Sequence, residues 1–245
     1  MKKIIVLTLL NFAVYAQNIF TDPRDGKKYK TVKIGNQTWM AQNIDYHGED
    51  GFLGLCYGDE PQKKIRKPEN CKKYGRLYDW NEATKACPKG WHLPSDKEWT
   101  ELMDFLASNK KEVRLEENEF GSEQYSNSGK YLKAKNGWEK YDFSGKSPEA
   151  PKCKWTEEEI DNRGRTKVTE HDYCVTDEYG FSALPGGYGI SDGDFYNVGN
   201  RGYWWSASEY DSDYAYNRSM DYDGEYAYWG YYDKYRLLSV RCLQD

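Results

Sequence analysis

The sequence is poor in the groups that most often mark an enzyme. Its 245 residues hold three histidines, His47, His92 and His171, in unrelated contexts. No His-Glu-x-x-His metal helix occurs, which excludes the zincin chemistry that motif carries. No two cysteines stand at the short spacing that zinc ligation prefers. Basic and acidic residues, 35 against 40, are dispersed and nowhere gather into a long block, so nucleic acid finds no electrostatic footprint. Long apolar runs are also missing. The stretch Ile4 to Val14 is too short to span a bilayer, no cysteine follows it to carry a lipid, and no later segment is apolar enough to cross.

What is present at the start is a leader pattern. Lys2 and Lys3 precede the apolar stretch, and Val14-Tyr15-Ala16 offers small residues for cleavage, which predicts a signal peptide over 1–16 and an exported chain from Gln17. Without the two leader lysines, 33 basic residues face 40 acidic ones, a net charge of -7. All six cysteines, at 56, 71, 87, 153, 174 and 242, lie in the exported part, and an even number there reads as disulfides. Proximity favours Cys56 with Cys71 and Cys153 with Cys174, leaving Cys87 for Cys242. Mean hydropathy is low, so a polar chain of this kind is expected to need such staples.

Local patterns give a mixed architecture. Thr31 to Ile34 alternates, Gly35-Asn36 turns, and Gln37 to Ala41 resumes as a strand, which is a hairpin. Residues 48 to 74 read as a loop tied by Cys56 and Cys71. Asp79 with Glu82 forms a capping box for a helix over Trp80 to Ala86, stopped by Pro88. Ser95 with Glu98 caps a second helix whose Trp99, Leu102, Met103 and Leu106 share one face. From 110 to 177 the chain is charged and rich in Gly and Ser, with Tyr131 to Ala134 and Trp138 as its contacts to a core. Residues 139 to 175 read as an insertion with its own cysteine pair. Strands are then predicted over Gly202 to Ser208, Tyr214 to Tyr222, Tyr226 to Tyr232 and Leu237 to Leu243.

Several spaced motifs occur in one order: Gly35 to Asn43, Cys71 to Trp80, Cys87 to Trp99, Tyr179 to Gly187, Gly202 to Ser208 and Ser239 to Cys242. In these the chain resembles the Fibrobacter succinogenes major paralogous domain over about residues 20 to 245, with the insertion as the main departure. That family looks like a distant branch of the C-type-lectin-like superfamily. The resemblance implies an α+β fold in which two helices flank a twisted antiparallel sheet with a long loop region. It also implies a disulfide from the first helical region to the final strand, the same pairing of Cys87 with Cys242. Formylglycine-generating enzymes are similar around Leu93 to Trp99, but they work through a reactive cysteine pair late in the domain. Here only Cys174 and Cys242 fall late, and both are assigned to bridges.

Ten tyrosines and three tryptophans crowd residues 203 to 235. Sugar rings present C–H faces that stack on such rings while Asp, Asn and Arg bond hydroxyls, so Tyr214, Tyr216, Arg218, Asp221, Asp223, Tyr226, Tyr228, Trp229 and Tyr231 form the candidate ligand surface. Half of the alternating aromatics must fill the core, so exposure decides how many of them reach a ligand. No cofactor is expected. The alternative is calcium, for which Asp211, Asp213, Asp221, Asp223 and Glu225 supply oxygen donors in turns. The expected protein is a single domain over 17–245, noncatalytic, secreted, periplasmic or at the cell surface. It would bind polysaccharide or a surface glycan, or, in the alternative reading, serve as a structural or adhesive module that binds an envelope protein.

Overall fold

Strands Lys28–Ile34 and Gln37–Met40 pair antiparallel around Gly35, as the turn signal predicts. Gly35 takes φ +59°, and a Cβ there would lie 2.8 Å from the Phe105 ring, so the turn and the close approach both call for glycine. Alternation along the pair sends Val32, Ile34 and Trp39 inward. The computed structural model of the chain describes residues 18–117, 123–138, 154–160, 163, 165–172, 175–190 and 193–245.

This hairpin lies within a five-stranded sheet ordered Asn18–Thr21, Lys28–Ile34, Gln37–Met40, Leu243–Gln244, Trp91–His92. A nine-stranded sheet has the spine Phe195–Val198, Gly186–Gly189, Arg201–Glu209, Tyr214–Asp221, Ala227–Asp233, Glu123–Ser126, Arg114–Glu117. Leu238–Ser239 joins it beside Trp204, and Leu77–Tyr78 pairs with Leu238–Ser239 in turn. Pairing is antiparallel apart from short parallel contacts at Gly187 with Gly202 and Trp204 with Ser239. With the helices, this makes an α+β fold.

The described residues include four helices, α1 (Pro68–Tyr74), α2 (Trp80–Ala86), α3 (Asp96–Asn109) and α4 (Ser128–Leu132). Both predicted capping boxes form. Asp79 accepts from the Glu82 N–H at 2.8 Å while Glu82 accepts from the Asp79 N–H at 3.1 Å, and Ser95 and Glu98 reciprocate in the same way. Each cap contributes about 1 kcal/mol to its helix. On α3, Trp99, Leu102, Met103 and Leu106 are buried against Trp39, Phe181, Trp204 and Met220, with the Trp39 and Trp99 rings 4.7 Å apart. The opposite face of the large sheet, with Tyr203, Trp205 and Ala215, packs on Ala83 and Ala86 of α2. Two helices thus flank the sheet, one on each face.

Four expectations change in detail. The 48 to 74 loop contains a 3-10 turn, Pro61–Lys63, and α1. Pro68 sits in the first turn of α1, where its missing N–H costs nothing, and Glu69, Lys72 and Lys73 complement the helix dipole. The helix is too short to show an apolar period. Between 110 and 177, strands Arg114–Glu117 and Glu123–Ser126 extend the large sheet and bury Tyr125 against α3. The expected strand from Leu237 to Leu243 is broken in two, because this segment leaves the large sheet at Ser239 and joins the small one at Leu243. Strand Phe195–Val198 is an addition at the edge.

Cys56 is bonded to Cys71 and Cys87 to Cys242, as expected. The proposed pairing of Cys153 with Cys174 falls outside the described residues. In the expected insertion, Lys154–Ile160 and Thr166–Asp172 form a two-stranded sheet that pairs with no other described strand. No described helix is long and apolar enough to cross a membrane.

Candidate functional site

The strands Arg201–Glu209, Tyr214–Asp221 and Ala227–Asp233 form the centre of the large sheet, and their register divides the candidate residues between two faces. Tyr216 stands opposite Tyr231, Arg218 opposite Trp229, and Tyr214 opposite Asp233, all on the α3 side. Ser219 stands opposite Tyr228 on the other side. Successive side chains alternate across a strand, so the aromatic field predicted as one surface is two.

On the α3 side, Trp204, Met220 and Ala227 are covered by the helix. Beyond its N-terminal end the rings of Tyr214, Tyr231, Tyr210, Tyr216 and Trp229 continue as a partly exposed strip. Tyr210 stacks on Tyr231 at 4.1 Å, Tyr216 meets Tyr210 edge-on at 5.5 Å, and Trp229 meets Tyr216 at 6.1 Å. Tyr214 closes the other end, 5.8 Å from Tyr231. Tyr210 and Tyr231 are 49% and 45% exposed, unlike the buried rings of the same strands. Asp211, Asp213 and Asp233 border the strip, and Asp233 above all raises the pKa of the Tyr214 hydroxyl.

Tyr210 was absent from the candidates drawn from sequence. It reaches the strip because the register shifts between Trp205 and Glu209, a bulge that places it beside Tyr214. A bulge of this kind leaves no residue signature in the strand.

Arg218 occupies this face but is 4% exposed. Its guanidinium donates to the Asp96 carboxylate, and also to the Asp96 carbonyl at 3.3 Å and Thr100 Oγ1 at 3.2 Å. It therefore fastens the first turn of α3 to the sheet and is not presented to a ligand, a correction that follows from its place under the helix end. Tyr226 and Tyr228 lie together on the opposite face, their rings 5.6 Å apart, beside Asp221. Burial pushes the Tyr228 hydroxyl up to about 12.

The candidate metal carboxylates are divided as well. Asp211 and Asp213 occupy the turn before the strand Tyr214–Asp221, while Asp221, Asp223 and Glu225 lie at and after its end. An eight-residue strand at about 3.3 Å per residue keeps the two groups roughly 20 Å apart. Asp211 accepts the N–H groups of Asp213 and Tyr214, at 2.8 and 2.9 Å, as an ordinary turn does. Asp221 pairs with Arg201 at 3.0 Å. The buried Lys133 ammonium donates to the carbonyls of Asp221 and Gly224, and burial pulls its pKa down to about 8. A side-chain cation thus already serves the oxygen-rich turn. Among the described residues no three His, Cys, Asp or Glu side chains are placed to hold a metal ion.

These features define a disulfide-stapled α+β domain whose central sheet carries one aromatic strip outside its core. Residues 32–244 match the family model described as the Fibrobacter succinogenes major domain, and the chain belongs to that family. No curated protein and no solved structure matches it.

Proposed function

We propose that the protein is a noncatalytic recognition module of the extracytoplasmic space that binds polysaccharide or a surface glycan through the strip Tyr214, Tyr231, Tyr210, Tyr216 and Trp229. The observation that carries this reading is the mutually packed row of five rings, partly exposed at Tyr214, Tyr216 and Trp229 and open at Tyr210 and Tyr231, on a face whose remaining aromatics are covered by α3. Such a row offers pyranose rings a stacking surface at little cost in side-chain order, and the bordering carboxylates accept sugar hydroxyls. Two formed disulfides fit an oxidising compartment. The helices on the two sheet faces and the bridge from Cys87 to the C-terminal strand segment support reading the fold as lectin-like.

A second reading, an adhesive module that binds an envelope protein, draws on the two-stranded sheet 154–160/166–172, which pairs with no other described strand and holds Val168 55% exposed. The test is pull-down on insoluble polysaccharides together with a glycan array, with and without chelator. Retention on a glycan supports the first reading, and loss of that retention with chelator restores a role for calcium. A folded protein held by no glycan overturns the first reading, and crosslinking to envelope proteins without sugar inhibition supports the second.

A further inference from the structure

The disulfide-tied segment between the small sheet and α2 lines an open pocket of about 520 Å³, remote in sequence from the aromatic strip. Its volume falls within the range of small-molecule sites. Its lining is chemically uneven: the cations Arg66 and Arg76 and the imidazole of His47 meet the apolar Phe52 and Leu55. Phe52, shortly before Cys56, is 75% exposed at the edge.

The backbone of this segment is built around the Arg76 guanidinium. Arg76 Nη1 donates to the Gly54 carbonyl at 3.1 Å, and Nε lies 3.0 Å from Asp45 Oδ1 without hydrogen-bond geometry. Gly54 has φ +67°, and a Cβ there would stand 2.7 Å from the Tyr78 ring, so this wall is set by a position that tolerates glycine alone. Asp45 is shared, because its other oxygen pairs with Lys27 at 2.8 Å. Among the described residues Arg66 makes a long contact, 3.5 Å, to Asp59 Oδ2. The Asp59 carboxylate is itself engaged by the N–H groups of Lys67 and Cys56, at 2.6 and 3.1 Å. His47 directs Nδ1 to the Gly48 carbonyl at 2.8 Å, which leaves Nε2 as its second polar atom.

Arg66, half-exposed and paired with Asp59 only at 3.5 Å, and Arg76, whose Nε meets Asp45 without hydrogen-bond geometry, therefore face one cavity. A guanidinium fork matches a carboxylate in two parallel hydrogen bonds, and the exposed ring supplies an apolar face for whatever carries that carboxylate. We propose that this cavity is a second binding site, for a small carboxylate with an apolar ring face, such as a uronic acid or an aryl carboxylate, held by Arg66 and Arg76 and covered by Phe52.

The experiment titrates the full chain with D-galacturonate, with its methyl ester and with benzoate, followed by calorimetry and by NMR shifts of the 47–76 segment. Saturable binding of galacturonate or benzoate, weakened by salt and absent for the ester, is expected, and the two acids separate a sugar ligand from an aryl one. Arg66→Ala, at an exposed position, should weaken binding about tenfold or more, the loss expected for a charge-assisted hydrogen bond. Tyr231→Ala, in the strip, should leave it unchanged. Equal binding of ester and acid, undiminished binding in Arg66→Ala, or no saturable binding by protein shown to be folded would each overturn the proposal.

Discussion

The Asn43 carboxamide oxygen accepts hydrogen bonds from Nε and Nη2 of Arg241, at 3.1 and 2.8 Å, and from the Trp204 indole N–H at 2.8 Å. The Asn43 amide donates in turn to the Tyr74 carbonyl at 2.8 Å and to Ser239 Oγ at 3.2 Å. Arg241 is fully buried and also donates to the carbonyls of Met40 and Phe181, at 3.2 and 2.7 Å. Burial pulls its pKa down to about 9, and the charge of Asp177 offsets this only in part. A cation held among neutral oxygens needs each of them, which is why Asn43 and Ser239 to Cys242 act as one unit across the length of the chain.

Asn43→Ala removes the acceptor shared by Arg241 and Trp204 and leaves a buried charge underbonded. Urea unfolding should show a loss of about 3 to 5 kcal/mol. A loss below about 1 kcal/mol would mean that water or a neighbouring carbonyl replaces the amide, and the network would not be the tie between the two sheets.

The bridge Cys87 to Cys242 closes 155 residues, and the bridge Cys56 to Cys71 closes 15. Loop entropy assigns about 5 kcal/mol to the first and about 3 to the second. Removing the long bridge with paired Cys→Ser changes should therefore lower the melting temperature more than removing the short one. The reverse order would show that local ordering of the 47–76 segment, and not chain closure, dominates the effect.

How far the sequence reaches depends on the range of the interaction that decides each feature. Helices α2 and α3 were legible because Asp79 with Glu82, and Ser95 with Glu98, are local partners written three residues apart. The disulfide pairings of Cys56 and Cys87 followed from counting. The role of Arg218 was hidden, since its partner Asp96 lies 122 residues away. Tyr226 and Tyr228 could have been separated from Trp229 and Tyr231 by parity alone, because odd and even positions of one strand take opposite faces. The Arg66 and Arg76 cavity left no pattern, being built by glycine turns and a bridge in a segment without periodicity.

The division of the sheet into two faces makes a sharp prediction for glycan binding. Trp229→Ala and Tyr231→Ala should each weaken retention on a bound polysaccharide by about tenfold, the scale of one lost aromatic contact. Tyr228→Ala, on the opposite face, should leave retention unchanged. Affinity electrophoresis compares the three directly, and equal losses in all would place the ligand elsewhere.

His92 bridges two acids, with Nε2 2.9 Å from Glu98 and Nδ1 2.7 Å from Asp245. Burial pushes its pKa down, but the hydrogen bonds to Asp245 and Glu98 outweigh this and hold it above the ordinary value. A group whose folded pKa is raised stabilises fully below its unfolded value of 6.5, and that stabilisation fades as pH climbs through the folded pKa. The site is partly exposed, so screening keeps the effect below about 1 kcal/mol. Urea midpoints of the native chain should fall relative to those of His92→Gln as pH rises from about 5.5 to about 9. A constant difference between the two proteins would show that the imidazole carries no charge in the bridge.

Arg218 separates a role in the fold from a role in the ligand site. Its charge pairs with Asp96 in the first turn of α3, and its register partner is Trp229 of the strip. Truncation to Ala strands a partly exposed carboxylate and removes packing beneath the helix end, at a cost of about 1 to 3 kcal/mol. Asp96→Asn should reproduce much of that loss, since either change breaks the same ion pair, and a double-mutant cycle should show strong coupling between them. If Arg218 instead met the ligand, Arg218→Ala would abolish glycan retention at temperatures where the protein stays folded, whereas Asp96→Asn would not. The burial of the guanidinium predicts the first outcome: coupled losses of stability, with retention kept wherever the fold is kept.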